Sequence, residues 1–162
     1  MTIEIQLTKG YVAIVDEIDG DLALLKWHIN TGNTKLYARR QIQVNKKITI
    51  IHMHRLILQR VLGITLDKKD IVDHINGNSL DNTRNNLRLA TNGENICNSK
   101  KSRRNTSGYK GVHFSKIKNR WIAQIQNQGK RIHLGYFDTP EVAHEAYCKA
   151  ANEYYREFAR FE

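Results

Sequence analysis

Residues 73 to 98 form a stretch with very few apolar side chains, DHINGNSLDNTRNNLRLATNGENICN. So polar a segment would ordinarily be a loop or disordered, because it has little apolar surface to bury. Turn-forming residues interrupt it at Asn76-Gly77-Asn78 and at Asp81-Asn82. A strand, a turn, a second strand and a helix fit the span. We expect hydrogen bonds and a bound metal to hold the segment in shape, which indicates a chemical role.

The spacing of four polar residues supports that interpretation. Asp73 and His74 are adjacent, so on a strand their side chains point to opposite faces. Asn86 precedes the apolar Leu87, and Asn95 lies in the helix-like run GENICN. Any one of these residues, taken alone, would more often belong to a surface or a turn. The agreement of several offsets favours a functional site over that alternative.

The stretch DHINGNSLDNTRNNLRLAT resembles the HNH endonuclease family, whose active site is a ββα-metal fold. The third letter of that motif can be Asn, and Asn95 fits this variant. The resemblance implies that Asp73 and Asn95 ligate one divalent cation, Mg²⁺ or alternatively Mn²⁺. It also implies that His74 is the general base, and that Asn86 orients His74 and ties down the loop.

The implied chemistry is consistent with the residue types. Carboxylate and amide oxygens are the hard ligands that Mg²⁺ prefers. Such an ion neutralises charge that develops on a phosphodiester and steadies the leaving 3′ oxygen. An imidazole with an ordinary pKa of about 6.5 takes a proton from water near neutral pH. A structural zinc site is a weaker alternative, because Cys97 and Cys148 are the only cysteines and no CxxC pair exists.

Positive charge is concentrated in one block of the chain. The net charge is +10, and residues 99 to 135 contain ten Lys/Arg and no Asp/Glu. A block without acids predicts a polyanionic partner, and we expect nucleic acid rather than a membrane surface. The basic linker, residues 99–108, opens this block. Phosphate contacts are predicted for its four cations, Lys100, Lys101, Arg103 and Arg104.

The N-terminal part predicts short strands within residues 1–52 and a helix over residues 54–62 that Gly63 ends. A strand is expected from Leu22 to Trp27, after a hairpin turn at Asp19-Gly20, and another turn at Thr31-Gly32-Asn33. The pieces VAIVDEID, LLKWHI and MHRLIL resemble the region that precedes the motif in phage-type HNH proteins. His54 and Arg55 lie next to the motif in sequence, where contact with phosphate is one alternative; His54 is interpreted as a packing or helix-start residue rather than a catalytic one.

Three strands and a helix are predicted after the linker. The strands are YKGVHF from Tyr109, RWIAQIQ from Arg120 and RIHL within residues 130–134. Thr139-Pro140-Glu141 is typical of a helix start. Apolar residues from Val142 to Tyr154 recur at helical spacing and are expected to cover the sheet.

This order of elements resembles an AP2 DNA-binding domain over roughly 50 residues, and AP2 domains lay their sheet into the major groove. If Trp121, Ala123 and Ile125 face inward, the alternate side chains face outward. The outward set is the candidate DNA-reading group: Lys110, His113, Arg120, Gln124, Gln126, Arg131 and His133. Several of these positions differ from the Arg and Trp of plant members, so the target sequence is open.

We therefore predict an α+β chain with three parts. Residues 1–98 form the endonuclease domain, with the ββα-metal site at about 70–98. Residues 99–108 are the linker, and 109–162 are a three-stranded antiparallel sheet plus helix. The expected function is metal-dependent cleavage of double-stranded DNA by a site-specific, homing-type enzyme, as a nick or a double-strand cut, with products carrying 5′-phosphate and 3′-hydroxyl ends.

The alternatives are a non-enzymatic AP2-type regulator with a vestigial HNH scaffold, and an RNA-binding protein. No run of about 18 apolar residues predicts a membrane span. Two cysteines give no disulfide framework, so a cytoplasmic setting is expected, in a bacterial host if the protein is phage-encoded. A monomer is favoured over a dimer, since no internal repeat is visible.

Overall fold

The computed structural model describes residues 1–31 and 35–161, so the turn predicted at residues 31–33 lies largely outside the described residues. Contacts between Cα atoms divide the chain into two compact units, Met1–Leu89 and Ala90–Glu162. In the described part of the chain, no helix is both long enough and apolar enough to cross a membrane.

The first unit begins with a two-stranded antiparallel sheet. β1 (Thr2–Gln6) pairs with β2 (Val12–Asp16), and Ile5 lies opposite Ala13 in the register. Both of these residues are buried, as is Val15. The alternation of apolar and polar residues in this part of the sequence therefore reports one buried sheet face correctly.

A 3₁₀ helix, Glu17–Leu24, follows β2, so the hairpin turn and strand predicted from residue 19 to residue 27 are wrong. The carboxylate of Asp19 is fully buried and pairs with Arg60 and Arg84. The indole Nε1 of Trp27 donates to the carbonyl oxygen of Leu22 at 2.9 Å. These distant partners hold the segment against the core, where Leu22 and Trp27 are buried without forming a strand, while Leu24 is exposed.

A three-stranded antiparallel sheet forms the centre of the first unit. It consists of β3 (His28–Asn30), β4 (Tyr37–Val44) and β5 (Lys47–His52), with β4 in the middle. α1 (Met53–Leu62) starts directly after β5 and ends at Gly63, which has a φ of 67°. The helix packs its buried residues into the same core as Trp27 and Leu22, as the cluster of buried side chains shows.

Two short strands carry the polar segment. β6 (Ile71–His74) and β7 (Leu87–Ala90) form a two-stranded sheet, and a 3₁₀ turn, Arg84–Asn86, leads into β7. α2 (Asn92–Asn98) follows, and a capping box formed by Thr91 and Glu94 starts it. The contacts of α2 assign it to the second unit, so the boundary between the units falls inside the polar segment.

In the second unit, the prediction of a three-stranded antiparallel sheet plus a helix is confirmed. β8 (Val112–Ser115), β9 (Arg120–Asn127) and β10 (Lys130–Phe137) form the sheet with β9 in the middle. The register between β9 and β10 shifts at a bulge between residues 133 and 135. α3 (Pro140–Tyr155) contacts all three strands.

The ends of α3 differ in part from the prediction. The hydroxyl of Thr139 accepts a hydrogen bond from the Val142 amide, and Pro140 starts the helix as expected. Val142 and Tyr154 are exposed, however, and Tyr155 is buried instead.

The backbone before β8 passes close to α3 at Gly111. At Gly111 the φ is 74°, and a Cβ would lie 2.0 Å from the ring of Tyr147, so only glycine fits under that ring.

Candidate active site and nucleic-acid interface

Asp73 and His74, at the end of β6, are both buried, with 3% and 6% of their surfaces exposed. Arg88 on the neighbouring β7 approaches the Asp73 carboxylate, with its Nε 3.1 Å from Oδ2. The Nε2 atom of His74 lies 3.2 Å from the Oδ1 atom of Asn82. Adjacent residues on a strand therefore have different partners, as opposite-facing side chains require.

Burial lowers the pKa of His74, although the hydrogen bond to Asn82 and the nearby Asp73 carboxylate act in the opposite direction. The imidazole is therefore neutral at neutral pH, which is the form that accepts a proton. An amide oxygen can only accept a hydrogen bond, so Nε2 carries the proton in this contact. Nδ1 is then the basic nitrogen of the ring.

Asn86 fixes the loop between the two strands. Its Oδ1 accepts from the backbone amide of Asn76 at 2.9 Å, and its Nδ2 donates to the carbonyl oxygen of Asp81 at 2.7 Å. The Asn86 carbonyl oxygen accepts from the Ile75 amide at 2.9 Å. Asn86 is 7% exposed, so these bonds are made where water competes little.

Asn82, which from the sequence is expected only to be a turn residue, contacts the His74 ring. It is 1% exposed, and its Nδ2 donates to the Leu80 carbonyl oxygen at 3.2 Å and approaches the Met53 sulfur at 3.6 Å. An asparagine in a turn-rich segment usually faces solvent, so neither the residue type nor its position in the sequence indicates a contact with His74. The distance to His74 is the observation that identifies it.

A cluster of aromatic rings surrounds His74. The ring of His54 lies 5.3 Å from that of His74 between centroids, and His52 lies 5.4 Å from His54. Tyr37 contacts all three histidines, at 5.1 to 6.2 Å. Burial holds the pKa of His54 well below its usual range. His54 is thus buried against the predicted general base.

Arg55, which follows His54 in sequence, binds backbone carbonyl oxygens of a neighbouring loop. Its guanidinium donates to the carbonyl oxygens of Asp70 at 2.6 Å and Asp67 at 2.5 Å. These bonds attach α1 to the loop that leads into β6. Arg55 therefore has a structural function that its sequence position does not reveal.

Asn95 lies on α2, half-buried, and belongs to the second unit by its contacts. The buried Cys97 of the same helix packs with Ile125 and Tyr147. Among the described residues, no group of three or more His, Cys, Asp or Glu side chains is placed to hold a metal ion. The predicted donors, the Asp73 carboxylate and the Asn95 amide, are both oxygen ligands and fit a hard divalent cation in type.

Six of the seven predicted reading residues lie on one face of the second unit's sheet, including Arg120 at the start of β9. Gln124 is opposite His133 in the register, and Gln126 is opposite Arg131. His113 on β8 is exposed and belongs to the same outward set, since it pairs with Ile122 of β9. Side chains of cross-strand partners share a face, so a polar outer surface runs across the three strands.

Arg120 is exposed, and its guanidinium forms an ion pair with Asp138. The prediction that Lys110 lies on the exposed face is wrong. Its ammonium is buried and donates to three backbone carbonyl oxygens, those of Cys97, Ser99 at 2.6 Å and Arg160 at 3.0 Å. Lys110 precedes β8 and joins the end of α2 to the C-terminal segment, so we remove it from the candidate DNA-reading group.

The four cations of the basic linker are all exposed. Lys101 donates to the carbonyl oxygen of Gly108 at 2.7 Å, within the linker itself. The Ser107 hydroxyl and the Asn105 amide bond the backbone of Tyr109, which gives the linker a defined shape. The cations thus project from an organised turn.

Comparison with known families agrees with this arrangement. The family model described as HNH endonuclease matches residues 52–96, and the AP2 domain model matches residues 107–157. Protein 3.8 of Escherichia phage T7 is 39% identical over 90 residues, which cover 56% of this chain and 74% of that protein.

An uncharacterized HNH endonuclease, L560 of Acanthamoeba polyphaga mimivirus, is 31% identical over 139 residues, covering 85% of this chain and 71% of that protein. The chain belongs to the HNH endonuclease family. The AP2-like ethylene-responsive transcription factor TOE2 of Arabidopsis thaliana is 45% identical over 56 residues, covering 32% of this chain and 12% of that protein. This HNH endonuclease family member therefore carries an AP2 domain after its HNH segment.

Proposed function

We propose that the protein is a metal-dependent endonuclease of double-stranded DNA, of the homing type. The observation that carries this proposal is the buried, neutral imidazole of His74, held by Asn82 beside the Asp73 carboxylate. All three residues lie within the segment that matches the HNH endonuclease family, residues 52–96. A family-matched segment with an intact base and acid favours an enzyme over a vestigial scaffold.

His74 would act as the general base. With Nε2 bonded to the Asn82 oxygen, Nδ1 takes a proton from the attacking water. Burial keeps the ring uncharged, so it is ready to accept that proton at neutral pH. Asn82 fixes the orientation of the ring, while Asn86 holds the loop that contains Asn82.

HNH nucleases generally use a divalent metal. Here Asp73 and Asn95 would hold the ion, which we propose to be Mg²⁺, with Mn²⁺ as the alternative. When bound, such an ion neutralises charge on the phosphate and on the leaving 3′ oxygen. Arg88 contacts the Asp73 carboxylate and orients it. The products would carry 5′-phosphate and 3′-hydroxyl ends.

The second unit would position the DNA and read it. The amides of the half-buried Gln124 and the exposed Gln126 suit adenine edges, and the guanidinium of Arg131 suits guanine. His113 and His133 add donors and acceptors to the same face. The linker cations would contact phosphates, which fix the position on the duplex without reading its sequence.

One active site per chain makes a nick the simplest product of a monomer, and we propose the monomer as the working form.

The two cysteines, Cys97 and Cys148, are free thiols, in keeping with a reducing compartment such as the cytoplasm of a host cell.

The test is cleavage of supercoiled plasmid in Mg²⁺, Mn²⁺ or EDTA by the native chain and His74→Ala. Metal-dependent nicked circles that are lost in the variant support the proposal. DNA binding without cleavage of any supplied DNA, including DNA from the source genome, would favour the regulator instead, and preference for RNA in a competition assay would favour an RNA-binding protein.

A further inference from the structure

The first unit contains a second acid-free region, longer than the one around the linker. Residues 22 to 66 contain eight Lys/Arg and no Asp/Glu. Arg60 of this region is ion-paired with Asp19 and Asp21 from outside it, whereas Lys46 and Lys47 are exposed. Exposed cations without nearby acids in sequence attract a polyanion. At its centre lies the hairpin of β4 and β5, which is hereafter called the ribbon (residues 41–50).

The outer part of the ribbon is exposed on both faces. Every residue from Gln43 to Ile50 is exposed, and the side chains of Ile48 and Ile50 retain 72% and 45% of their accessible surfaces. The turn at the tip is tight, with positive φ angles at Asn45 and Lys46. A two-stranded ribbon that leaves its core in this way is an arm, and its exposed apolar residues indicate a partner surface.

One face of the ribbon is continuous with the histidine cluster. The register pairs Arg39 with His52, Gln41 with Ile50 and Gln43 with Ile48. Cross-strand partners share a face, so these six side chains form one surface. At its inner end, His52 contacts His54, whose ring contacts His74.

We infer that the ribbon is a DNA-binding arm that enters the major groove beside the cleavage site. The major groove admits a two-stranded β-ribbon. Gln41 and Gln43 supply amides that match adenine edges, and Ile48 and Ile50 supply apolar contacts for thymine methyl groups. Lys46 and Lys47 at the tip are exposed and suited to phosphates. The inference rests on the proposed function, since it extends the DNA contacts of the same enzyme.

The length of the ribbon defines its reach. At roughly 3.4 Å per residue, the strand from His52 to Lys47 spans about 17 Å. One turn of B-DNA is about 34 Å. The ribbon therefore contacts base pairs within about half a turn of the phosphate that is cleaved at the His74 site. These contacts are independent of those made by the AP2 sheet.

The test measures binding to a mixed-sequence DNA duplex in EDTA, where metal-dependent cleavage is prevented. The double variant Lys46→Gln/Lys47→Gln is compared with Lys68→Gln/Lys69→Gln, which removes the same charge from an exposed turn between Asp67 and Asp70. Loss of two phosphate contacts lowers the slope of log affinity against log salt by about two. We expect that change in the ribbon variant and none in the control.

A second pair of variants tests the face. Gln41→Ala/Gln43→Ala removes the groove-facing amides, whereas Thr49→Ala changes the opposite face. We expect about a tenfold loss of affinity or more for an A·T-rich duplex in the first variant only. Unfolding in urea checks that all variants keep the native fold. We expect their stabilities to be nearly unchanged, because the replaced side chains are exposed.

The outcomes separate this inference from the proposed function. A native chain that nicks plasmid, with unchanged slope and affinity in the ribbon variants, overturns the arm and leaves the endonuclease intact. Unchanged duplex binding in the ribbon variants, combined with altered sedimentation, also overturns the arm and favours a dimer interface. Unchanged duplex binding combined with altered RNA binding overturns it in favour of an RNA contact. A native chain that neither binds nor cuts DNA overturns both.

Discussion

The two units use polar residues in opposite ways. In the first unit, the candidate site residues His74, Asn82 and Asn86 are buried, and they bond protein atoms: Asn82 bonds His74, and loop backbone bonds Asn86. In the second unit, the polar residues of the outer sheet face are mostly exposed. Chemistry requires groups fixed before substrate arrives, whereas recognition of varied base edges requires groups available to a partner.

This difference predicts different consequences of substitution. A change at a buried polar residue leaves a partner unsatisfied inside the protein, so it affects stability and catalysis together. A change on the exposed sheet alters binding while the fold remains the same.

His74→Ala should abolish most cleavage while the chain still binds DNA. Loss of a general base costs on the order of 10²–10⁴ in rate. The measurement is single-turnover nicking of plasmid, set beside the dissociation constant for a duplex in EDTA. A well-folded variant that loses DNA binding as well would contradict the assignment of His74 to chemistry.

Asn86→Ala should destabilise the protein by about 2–4 kcal/mol, because it removes two side-chain hydrogen bonds from a buried loop. Unfolding in urea, monitored by circular dichroism, gives the free-energy change. Gln126→Ala, on the exposed face of β9, is the matched control and should leave stability nearly unchanged. Equal effects of the two substitutions would remove the contrast between the units.

Asp19→Asn tests a buried carboxylate away from the histidine cluster. Burial raises the pKa of Asp19, but hydrogen bonds from Arg84 and Arg60 outweigh it and lower the pKa overall. A lowered folded pKa stabilises the protein above the unfolded pKa of about 3.9, and this contribution is lost as the pH falls towards the folded value.

We therefore expect the native chain to exceed Asp19→Asn in stability by roughly 2 kcal/mol at pH 7. The difference should shrink below about pH 4, as urea midpoints measured across the acid range would show. A gap that stays constant with pH would mean that the charge of Asp19 contributes nothing.

Arg131→Ala should weaken specific binding by about 1–3 kcal/mol and relax selection at one base pair, without altering stability. Lys149→Ala is the control, because it removes the same charge from an exposed position on α3. Binding to a randomised duplex pool, followed by sequencing, reports the selection. The assignment fails if both variants select the same sequences as the native chain.

The smallest effects are expected in the linker. Replacing Lys100, Arg103 or Arg104 by Gln should lower the salt slope of binding by about one each, uniformly across DNA sequences. Lys101 should contribute less, since its ammonium already bonds the Gly108 carbonyl oxygen. Unchanged slopes in all four variants would exclude phosphate contacts by the linker.

Local patterns predicted much of the fold. Alternation over residues 3–7 and the helix-start residues Thr139 and Pro140 depend on neighbours in sequence, and the structure contains the corresponding elements. The prediction of a strand at Leu22–Trp27 was wrong because ion pairs of Asp19 with the distant Arg60 and Arg84 fix the preceding segment in a 3₁₀ helix. An apolar run indicates that some of its residues are buried, here Leu22 and Trp27, but not the conformation of the segment.

The candidate site was predictable in composition and not in its contacts. Asp73, His74 and Asn86 are marked by their spacing, whereas Asn82 is marked only by its distance from the His74 ring. Lys110 was misassigned because alternation cannot show that a side chain turns towards three carbonyl oxygens. Contacts of that kind depend on tertiary packing, which sequence periodicity does not encode.

The three acceptors of Lys110 also determine how the DNA-reading part can be moved between proteins. The AP2 match covers residues 107–157, yet the carbonyl oxygens that bind the ammonium belong to Cys97, Ser99 and Arg160, all outside it. A fragment trimmed to the match would lose all three hydrogen bonds that hold this ammonium, together with the packing of Cys97 in the same core. The transplantable module is therefore longer than the recognisable one, and a graft or recombination event that moves it intact must carry α2 along.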